Sequence, residues 1–168
     1  MKKLFLATVV FITTVVSSAN AQNVKDVSVP HDLRFLLTTS GYSENINAKA
    51  VRNFAKQFKQ APDAEWYKVD NGYTALFKSG DVRHRIFYNK KGNWLYTIKY
   101  YSETSLPKTV RAQVKSTYFD YAIVGITEVE LVNEPTIYLV HMADADTYKI
   151  VSVCNEEMSI VDDFKKAL

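Results

Sequence analysis

Cysteine is almost missing from this sequence of 168 residues: Cys154 is the only one, so no internal disulfide can form. The fold must therefore be held together by an apolar core. The composition permits this, because 47% of the residues are hydrophobic and 13% are aromatic. Burying one large apolar side chain contributes about 1.5 to 3 kcal/mol to the free energy of unfolding, and a chain of this length has enough of them.

Histidine is also scarce, with only His31, His84 and His141. Zinc sites need three or four ligands, typically with pairs two to five residues apart, and these histidines lack such spacing. The pair Asp144 and Asp146 is an alternative site for a hard cation, but its loop lacks the further ligands and the glycine of a calcium loop. We interpret it as a solvated turn, and we predict no metal and no cofactor.

Sequence motifs of catalysis are missing as well. The chain has no G-x-S-x-G, P-loop or Rossmann fingerprint, and we predict no catalytic residue and no enzyme activity. One alternative stays open, in which Cys154 is a nucleophile and His141 on a neighbouring strand is its base. That pair would need to lie within hydrogen-bond reach, whereas a free cysteine buried in a strand is the commoner case.

The amino terminus carries an export signal. Lys2 and Lys3 precede an uncharged run over 4–16, and Ala-Asn-Ala at 19–21 fits the A-x-A pattern of signal peptidase. We predict that residues 1–21 are a cleaved signal peptide and that the mature protein is periplasmic or secreted. No stable membrane anchor is expected, because the run is shorter than the roughly 20 residues that span a bilayer.

Positive charge is low once the signal is removed. The formal charge falls from +3 to +1 without Lys2 and Lys3. Nucleic-acid binding needs a clustered basic face, so we predict no nucleic-acid partner. The nearest approach is Arg83-His84-Arg85 with Lys90-Lys91. We interpret this cluster as a solvated strand face and turn, with a phosphate or acidic-partner site as the alternative.

The hydrophobic period changes from about 3.6 to about 2 once in each half of the mature chain. In the first half Val51, Phe54, Ala55 and Phe58 predict one helix face, capped by Asn45 or Asn47, and four strands follow up to Tyr101. In the second half Leu106-Pro107 opens a helix with Val110, Val114 and Tyr118 on one face, and four strands follow up to Phe164.

This pattern predicts an α+β fold made of a tandem repeat, in which each half is a helix plus a four-stranded antiparallel meander. The helices are expected on one face of the sheet, leaving the other face open. We divide the mature chain into an extension at 22–46 and a folded domain at 47–168. The two halves of that domain are expected at about 47–104 and 105–168.

Aromatic residues are concentrated in the first four strands. Because side chains alternate between the two faces of a sheet, some of these residues face the helix and others face outward. We expect four residues mainly in the core: Trp66, Tyr73, Ala75 and Phe77. Exposed tyrosine, tryptophan and arginine are enriched at binding hot spots. The candidate partner-binding residues are Tyr67, Arg83, Arg85, Trp94, Tyr96, Tyr100 and Tyr101. The alternative interpretation is cross-strand pairing that only stabilises the sheet.

Short motifs along the chain resemble a known family. They are Phe54-Ala55-Lys56-Gln57-Phe58, Ala64-Glu65-Trp66, Gly72-Tyr73-Thr74-Ala75-Leu76-Phe77, Tyr88-Asn89-Lys90-Lys91-Gly92-Asn93-Trp94 and Ser105-Leu106-Pro107. Over residues 48–164 the chain resembles the PepSY-like proteins of Bacteroidetes, whose domain is related in shape to β-lactamase-inhibitor-protein modules. The resemblance implies an envelope protein that binds a protein or peptide, and it transfers no catalytic residue.

The sequence therefore predicts a secreted, non-enzymatic binding module that engages a protein or peptide of the envelope through its open sheet face. Inhibition or regulation of an envelope enzyme is the expected form of this function. The alternative is a small-molecule or glycan binder that uses the exposed aromatic residues. A hydrolytic enzyme is the less favoured alternative.

Overall fold

The structure, a computed structural model, describes residues 45–59, 61 and 63–166. The predicted signal peptide and nearly all of the predicted extension lie outside the described residues. Within those ranges, no helix has both the length and the apolar character needed to cross a bilayer.

The described residues form two ten-residue helices and eight strands. The helices are α1 (Ala48–Gln57) and α2 (Lys108–Thr117). The strands are β1 (Glu65–Val69), β2 (Gly72–Ser79), β3 (Val82–Asn89), β4 (Trp94–Tyr101), β5 (Ala122–Leu131), β6 (Ile137–Ala143), β7 (Thr147–Cys154) and β8 (Glu157–Lys165). The four strands of the first half end at Tyr101, as predicted, and the four strands of the second half end at Lys165, one residue beyond the predicted Phe164.

The strands form one antiparallel sheet in which their order follows the sequence, from β1 to β8. The two halves join where β4 pairs with β5, from Tyr96 opposite Leu131 to Tyr101 opposite Ile126. A single 3-10 turn at Glu103–Ser105 and then α2 lie between these two strands in the chain. The predicted α+β fold, with two helix-plus-meander units in one sheet, is confirmed.

Each helix covers its own hydrophobic cluster. The buried residues of the α1 cluster are Ala50, Phe54, Ala75, Ile86 and Tyr88. Those of the α2 cluster are Tyr101, Leu106, Val110, Val114, Tyr121, Ile123, Ile126, Val140, Met142, Val151 and Val153. Ile86 pairs with Thr97, and Thr97 shares a strand face with Tyr101, so both helices lie on one face of the sheet.

The buried stripe of α1 differs from the predicted one. Ala50 and Phe54 are buried and Phe58 packs beside them, whereas Val51 is 41% exposed and Ala55 is exposed as well. The helix is therefore rotated toward the Ala50 side, because residues at i, i+4 and i+8 form its contact with the sheet. Its start is as predicted: the Asn47 side chain accepts a hydrogen bond from the Lys49 backbone N–H at 2.8 Å.

A polar group lies on the helix side of the sheet, on the central strands. Lys99 Nζ lies 2.9 Å from Glu128 Oε1 and 2.7 Å from Glu130 Oε1, and the Tyr101 hydroxyl donates to Glu128. We call Lys99, Tyr101, Glu128 and Glu130 the lysine–glutamate cluster. Burial alone would lower the pKa of Lys99, but its hydrogen bonds to the two glutamates outweigh this effect and raise that pKa. The cluster thus holds both carboxylates on the helix side.

Candidate functional site

The candidate site lies on the outer face of the sheet, which is the face turned away from both helices. Strand register places its side chains in three rows that cross β2, β3, β4 and β5. The rows are Thr74, Phe87, Tyr96 and Leu131; Leu76, Arg85, Ile98 and Val129; and Lys78, Arg83, Tyr100 and Thr127. Large side chains from separate strands therefore meet on one surface.

Two arginines in these rows lie over aromatic rings. Arg83 Cζ is 5.9 Å from the centre of the Tyr100 ring, and Arg85 Cζ is 4.7 Å from the centre of the Phe87 ring. The Phe87 and Tyr96 rings stack with their centres 4.4 Å apart. Cation–π contacts at these distances are attractive and restrict the arginine side chains. We call Arg83, Arg85, Phe87, Tyr96 and Tyr100 the arginine–aromatic patch.

The positive charge of this patch is not neutralised by a neighbouring acid. Among the described residues, no carboxylate oxygen lies within 4.0 Å of the Arg83 or Arg85 guanidinium group. Burial raises the pKa of the Tyr96 and Tyr100 hydroxyls, although the nearby Arg85 charge acts in the opposite direction. Both phenols are therefore uncharged hydrogen-bonding groups at neutral pH.

The outer side chains also cover the sheet beneath them. Thr74 points to the outer face, yet it has no exposed surface, and its Oγ1 has no hydrogen-bond partner among the described residues. Its cross-strand neighbours on that face are Tyr67 on β1 and Phe87 on β3. Tyr67 is itself held in place, since its hydroxyl donates to Glu65 Oε2 at 2.6 Å. The aromatic side chains thus form a packed layer, with their outer surfaces available for contact.

The structure places five of the seven candidate partner-binding residues on the outer face. They are Tyr67, Arg83, Arg85, Tyr96 and Tyr100. The four residues expected in the core lie on the helix side: Ala75 is buried in the α1 cluster, and Trp66, Tyr73 and Phe77 are partly buried and pack against it. Phe87 was not among the candidates; its ring contacts Arg85 two residues away on β3, and the pairing of β3 with β4 stacks it on Tyr96.

The predicted outer position of Tyr101 is wrong. Tyr101 is 8% exposed within the α2 cluster, and its hydroxyl donates to Glu128 on the helix side. Successive residues of a strand point to opposite faces, so Tyr100 and Tyr101 are never on the same face of a regular strand. Tyr101 is therefore a core residue and is not available to a partner on the outer face.

The predicted outer position of Trp94 is also wrong. The register passes from Phe87 opposite Tyr96 to Tyr88 opposite Trp94, so Leu95 is an extra residue without a partner on β3. Such a β-bulge changes the face of the residues beyond it. The Trp94 ring packs against the α1 cluster, and its Nε1–H donates to Thr97 Oγ1 at 3.1 Å.

The second half of the outer face contains a hydrogen-bonded histidine. His141 Nε2 is 3.0 Å from Thr127 Oγ1, and His141 Nδ1 is 2.7 Å from the Tyr148 hydroxyl. Burial lowers the pKa of His141. His141 pairs with Ile150, and Cys154 lies four residues further along β7, roughly 13 Å away at the rise of a strand. A nucleophile–base pair of Cys154 and His141 is therefore ruled out by distance.

The carboxylate of Asp144 closes the turn between β6 and β7. Its Oδ1 accepts hydrogen bonds from the Thr147 backbone N–H at 2.6 Å, the Asp146 backbone N–H at 2.8 Å and the Thr147 hydroxyl at 3.0 Å. The Thr147 backbone hydrogen bond is the largest of the effects that lower the pKa of Asp144 to about 2. The interpretation of this pair as a turn agrees with this geometry.

We expect acid to remove the stabilisation that Asp144 provides. Its folded pKa of about 2 lies below the unfolded value of about 3.9, so the carboxylate stabilises the fold above pH 4, and this contribution is lost as the pH falls through 2. Asp144→Asn should lower the melting temperature at pH 5, and the gap to the wild type should narrow toward pH 2. Thermal melts at pH 5, 4, 3 and 2 measure this gap. Asp146→Asn is the control, and a gap independent of pH contradicts the prediction.

Comparison with known proteins identifies relatives by fold only. No family profile and no curated protein matches the chain. Three solved Bacteroides proteins resemble it: a DUF2874 family protein from B. ovatus, a protein from B. eggerthii named as a candidate for the periplasm, and a BLIP-like protein from B. fragilis. Their sequence identities to the chain are 17%, 12% and 15%, and the TM-scores are 0.59, 0.57 and 0.59. The matches cover 73%, 72% and 73% of this chain and 89%, 89% and 88% of those proteins.

Proposed function

We propose that this chain is an exported, non-enzymatic binding module that engages a protein or peptide in the cell envelope through the outer face of its sheet. The observation that carries this proposal is the arginine–aromatic patch. Arginine and tyrosine are enriched at binding hot spots, which cluster near the centre of an interface. The patch lies on β3 and β4, near the middle of the sheet.

The side chains of the arginine–aromatic patch are conformationally restricted, and this favours a role in binding over a purely stabilising one. Rings that stack on one another and guanidinium groups that rest on rings have already lost much of their rotational freedom. A partner then meets side chains that need little further ordering, which reduces the entropy cost of association. Cross-strand pairing alone does not require two arginines without carboxylate partners.

The envelope location and the family are supported by separate observations. The amino-terminal sequence has the features of a signal peptide, and one relative of similar fold is named as a candidate for the periplasm. Another relative is named BLIP-like, which supports inhibition or regulation of an envelope enzyme as the form of the function. The motifs of the first half support membership of the PepSY-like family.

A small-molecule or glycan function has weaker support. A cavity of about 210 Å³ lies beside α1 and is lined by residues that include Phe54, Phe58 and Trp66. Cavities that take small ligands usually measure about 300 to 1,000 Å³. This cavity is smaller and contains no residue of the arginine–aromatic patch, so it does not connect the outer aromatic residues with a small ligand.

Site-specific photocrosslinking tests the proposed function. A benzophenone amino acid at Tyr96 should form adducts with a partner in envelope extract of the source organism. The same amino acid at Phe119, which is 79% exposed and lies outside the sheet, should not form those adducts. The double variant Tyr96→Ala, Tyr100→Ala should reduce capture of the same partner about tenfold or more, as expected for hot-spot truncation.

Circular dichroism of each variant shows whether the fold is retained. Equal adducts at the two positions would show that contact is non-specific. Absence of adducts at Tyr96 over a range of salt concentrations would contradict a partner at this face.

A further inference from the structure

We infer, on the basis of the proposed binding function, that the patch recognises an acidic, extended segment of the partner protein. In this arrangement two carboxylates of the segment bind Arg83 and Arg85, and its backbone runs along β3. Three features of the described residues lead to this inference: the distribution of charge between the faces, the spacing of the two arginines, and their support by rings.

The first feature is the separation of charge across the sheet. Glu128 and Glu130 on β5 are two strands away from the arginines, but strand alternation points both carboxylates to the helix side, where they bind Lys99. The carboxylates that would otherwise neutralise Arg83 and Arg85 are therefore on the opposite face. The central strands present positive charge to the outside although the mature chain is almost neutral.

The outer face has a carboxylate in the same row as Arg85, on β1, but it lies away from the patch. Glu65 is separated from Arg85 by two strand spacings, roughly 9 to 10 Å, and its carboxylate accepts a hydrogen bond from the Tyr67 hydroxyl. Lys78 lies beside Arg83 in the third row, but its ammonium is 3.8 Å from Asp81, so it adds little net positive charge to the patch. The field over the patch therefore favours a negative partner.

The second feature is the spacing of the arginines. Arg83 and Arg85 are two residues apart on one strand face, which places their α-carbons about 7 Å apart. An extended peptide presents its own side chains on one face at the same interval. Acidic residues at positions i and i+2 of an extended segment thus match the arginines in register, whereas residues at i and i+1 point to opposite sides.

The third feature is the way the rings orient the arginines. Tyr100 lies beside Arg83 and Phe87 lies beside Arg85, so an aromatic ring contacts each guanidinium group. The N–H groups of a guanidinium lie in one plane and suit bidentate contact with a carboxylate; because Arg85 Nε is buried, its two terminal nitrogens are the ones that make this contact. Ile98, which pairs with Arg85, adds apolar surface that limits water around the contact and strengthens the attraction.

A peptide selection tests this partner chemistry directly. The mature chain is immobilised and presented with a displayed library of random twelve-residue peptides. We expect enrichment of peptides with two acidic residues separated by one position. The charge-reversal variant Arg83→Glu, Arg85→Glu should enrich basic residues at that spacing instead. The matched control Arg52→Glu, Arg111→Glu reverses two exposed arginines on the helices and should keep the acidic preference.

Binding measurements on a selected peptide show how much Arg83 and Arg85 contribute to its affinity. Arg83→Ala, Arg85→Ala should weaken binding about tenfold or more, because hydrogen bonds to charged groups are the stronger class. Raising the salt from 0.05 to 0.5 M should also weaken binding several-fold, since salt screens exposed charges. Circular dichroism of the three arginine double variants shows whether unfolding is the cause.

The outcomes separate this inference from the proposed function. If the enriched peptides carry no acidic pair but lose binding in the Tyr96→Ala, Tyr100→Ala variant, the inference of an acidic partner is wrong. The proposed binding function would still hold. An acidic preference that survives Arg83→Glu, Arg85→Glu would overturn the inference as well. Enrichment no greater than on beads without protein would count against the binding function itself, and the inference would be lost with it.

Discussion

Replacing Gly72 by alanine is expected to prevent the chain from reaching a stable fold. An added β-carbon would lie 1.9 Å from the Tyr88 carbonyl oxygen and 2.9 Å from the Asn89 backbone. These atoms belong to β3, which is paired on both sides, so they have no room to move without breaking the sheet. The glycine φ of +156° is also rare for other residues. We expect a loss of about 4 kcal/mol or more in the free energy of unfolding, measured by denaturant titration.

Two other glycines provide controls for Gly72→Ala. Nothing lies within 4 Å of a β-carbon placed on Gly125 or Gly80. Gly125→Ala should therefore leave the stability nearly unchanged. Gly80 has a φ of +58°, so Gly80→Ala should cost about 1 kcal/mol through backbone strain alone. A Gly72→Ala protein as stable as either control would show that β3 accommodates the added carbon.

Removal of the Lys99 side chain is expected to give the second large loss of stability. Lys99→Ala leaves Glu128 and Glu130 on the same face of β5 without the cation that lies between them. Breaking a buried ion pair costs about 3 to 5 kcal/mol. Because the Lys99 side chain is 21% exposed, we expect a smaller loss of about 2 to 3 kcal/mol in the free energy of unfolding. Denaturant titration at neutral pH measures it.

An exposed ion pair of the same chemistry provides the comparison for Lys99. Lys78 and Asp81 are 3.8 Å apart, and their side chains are 62% and 93% exposed. Lys78→Ala should change the free energy of unfolding by less than about 0.5 kcal/mol, because surface pairs contribute little. Similar losses for Lys99→Ala and Lys78→Ala would mean that burial does not strengthen the lysine–glutamate cluster.

The elements of the fold were predictable from the sequence because their signals are local. Alternation of apolar residues marks each strand, and turn residues such as Asp70-Asn71-Gly72 separate them. The rotation of α1 was harder to predict. Val51 and Ala50 are both apolar and adjacent in sequence, so hydrophobic periodicity alone does not decide which one faces the sheet.

The site was predictable in part, for a physical reason. Alternation along one strand correctly places Tyr96 and Tyr100 on the outer face. It fails for Trp94, because a β-bulge is a property of two paired strands and has no mark in either sequence alone. The ion pair between Lys99 and Glu128 depends on the register between β4 and β5, which are separated in the chain by a 3-10 turn and α2. The uncompensated charge of Arg83 and Arg85 is therefore visible only in the folded chain.

The consecutive strand order has a consequence for how the chain folds. Each strand pairs with the strand next to it in sequence, and within the sheet only the β4–β5 pairing crosses an intervening helix. Hairpin pairing between neighbouring strands requires shorter loops to close than pairing between distant strands, which lowers the entropy cost of each step. Among the described residues, the α1 cluster draws only on positions 46–94, so the first half can assemble its own nucleus before the second half is available. Once formed, β4 offers a free edge on which β5 begins the second half, and structure can grow in one direction along the chain.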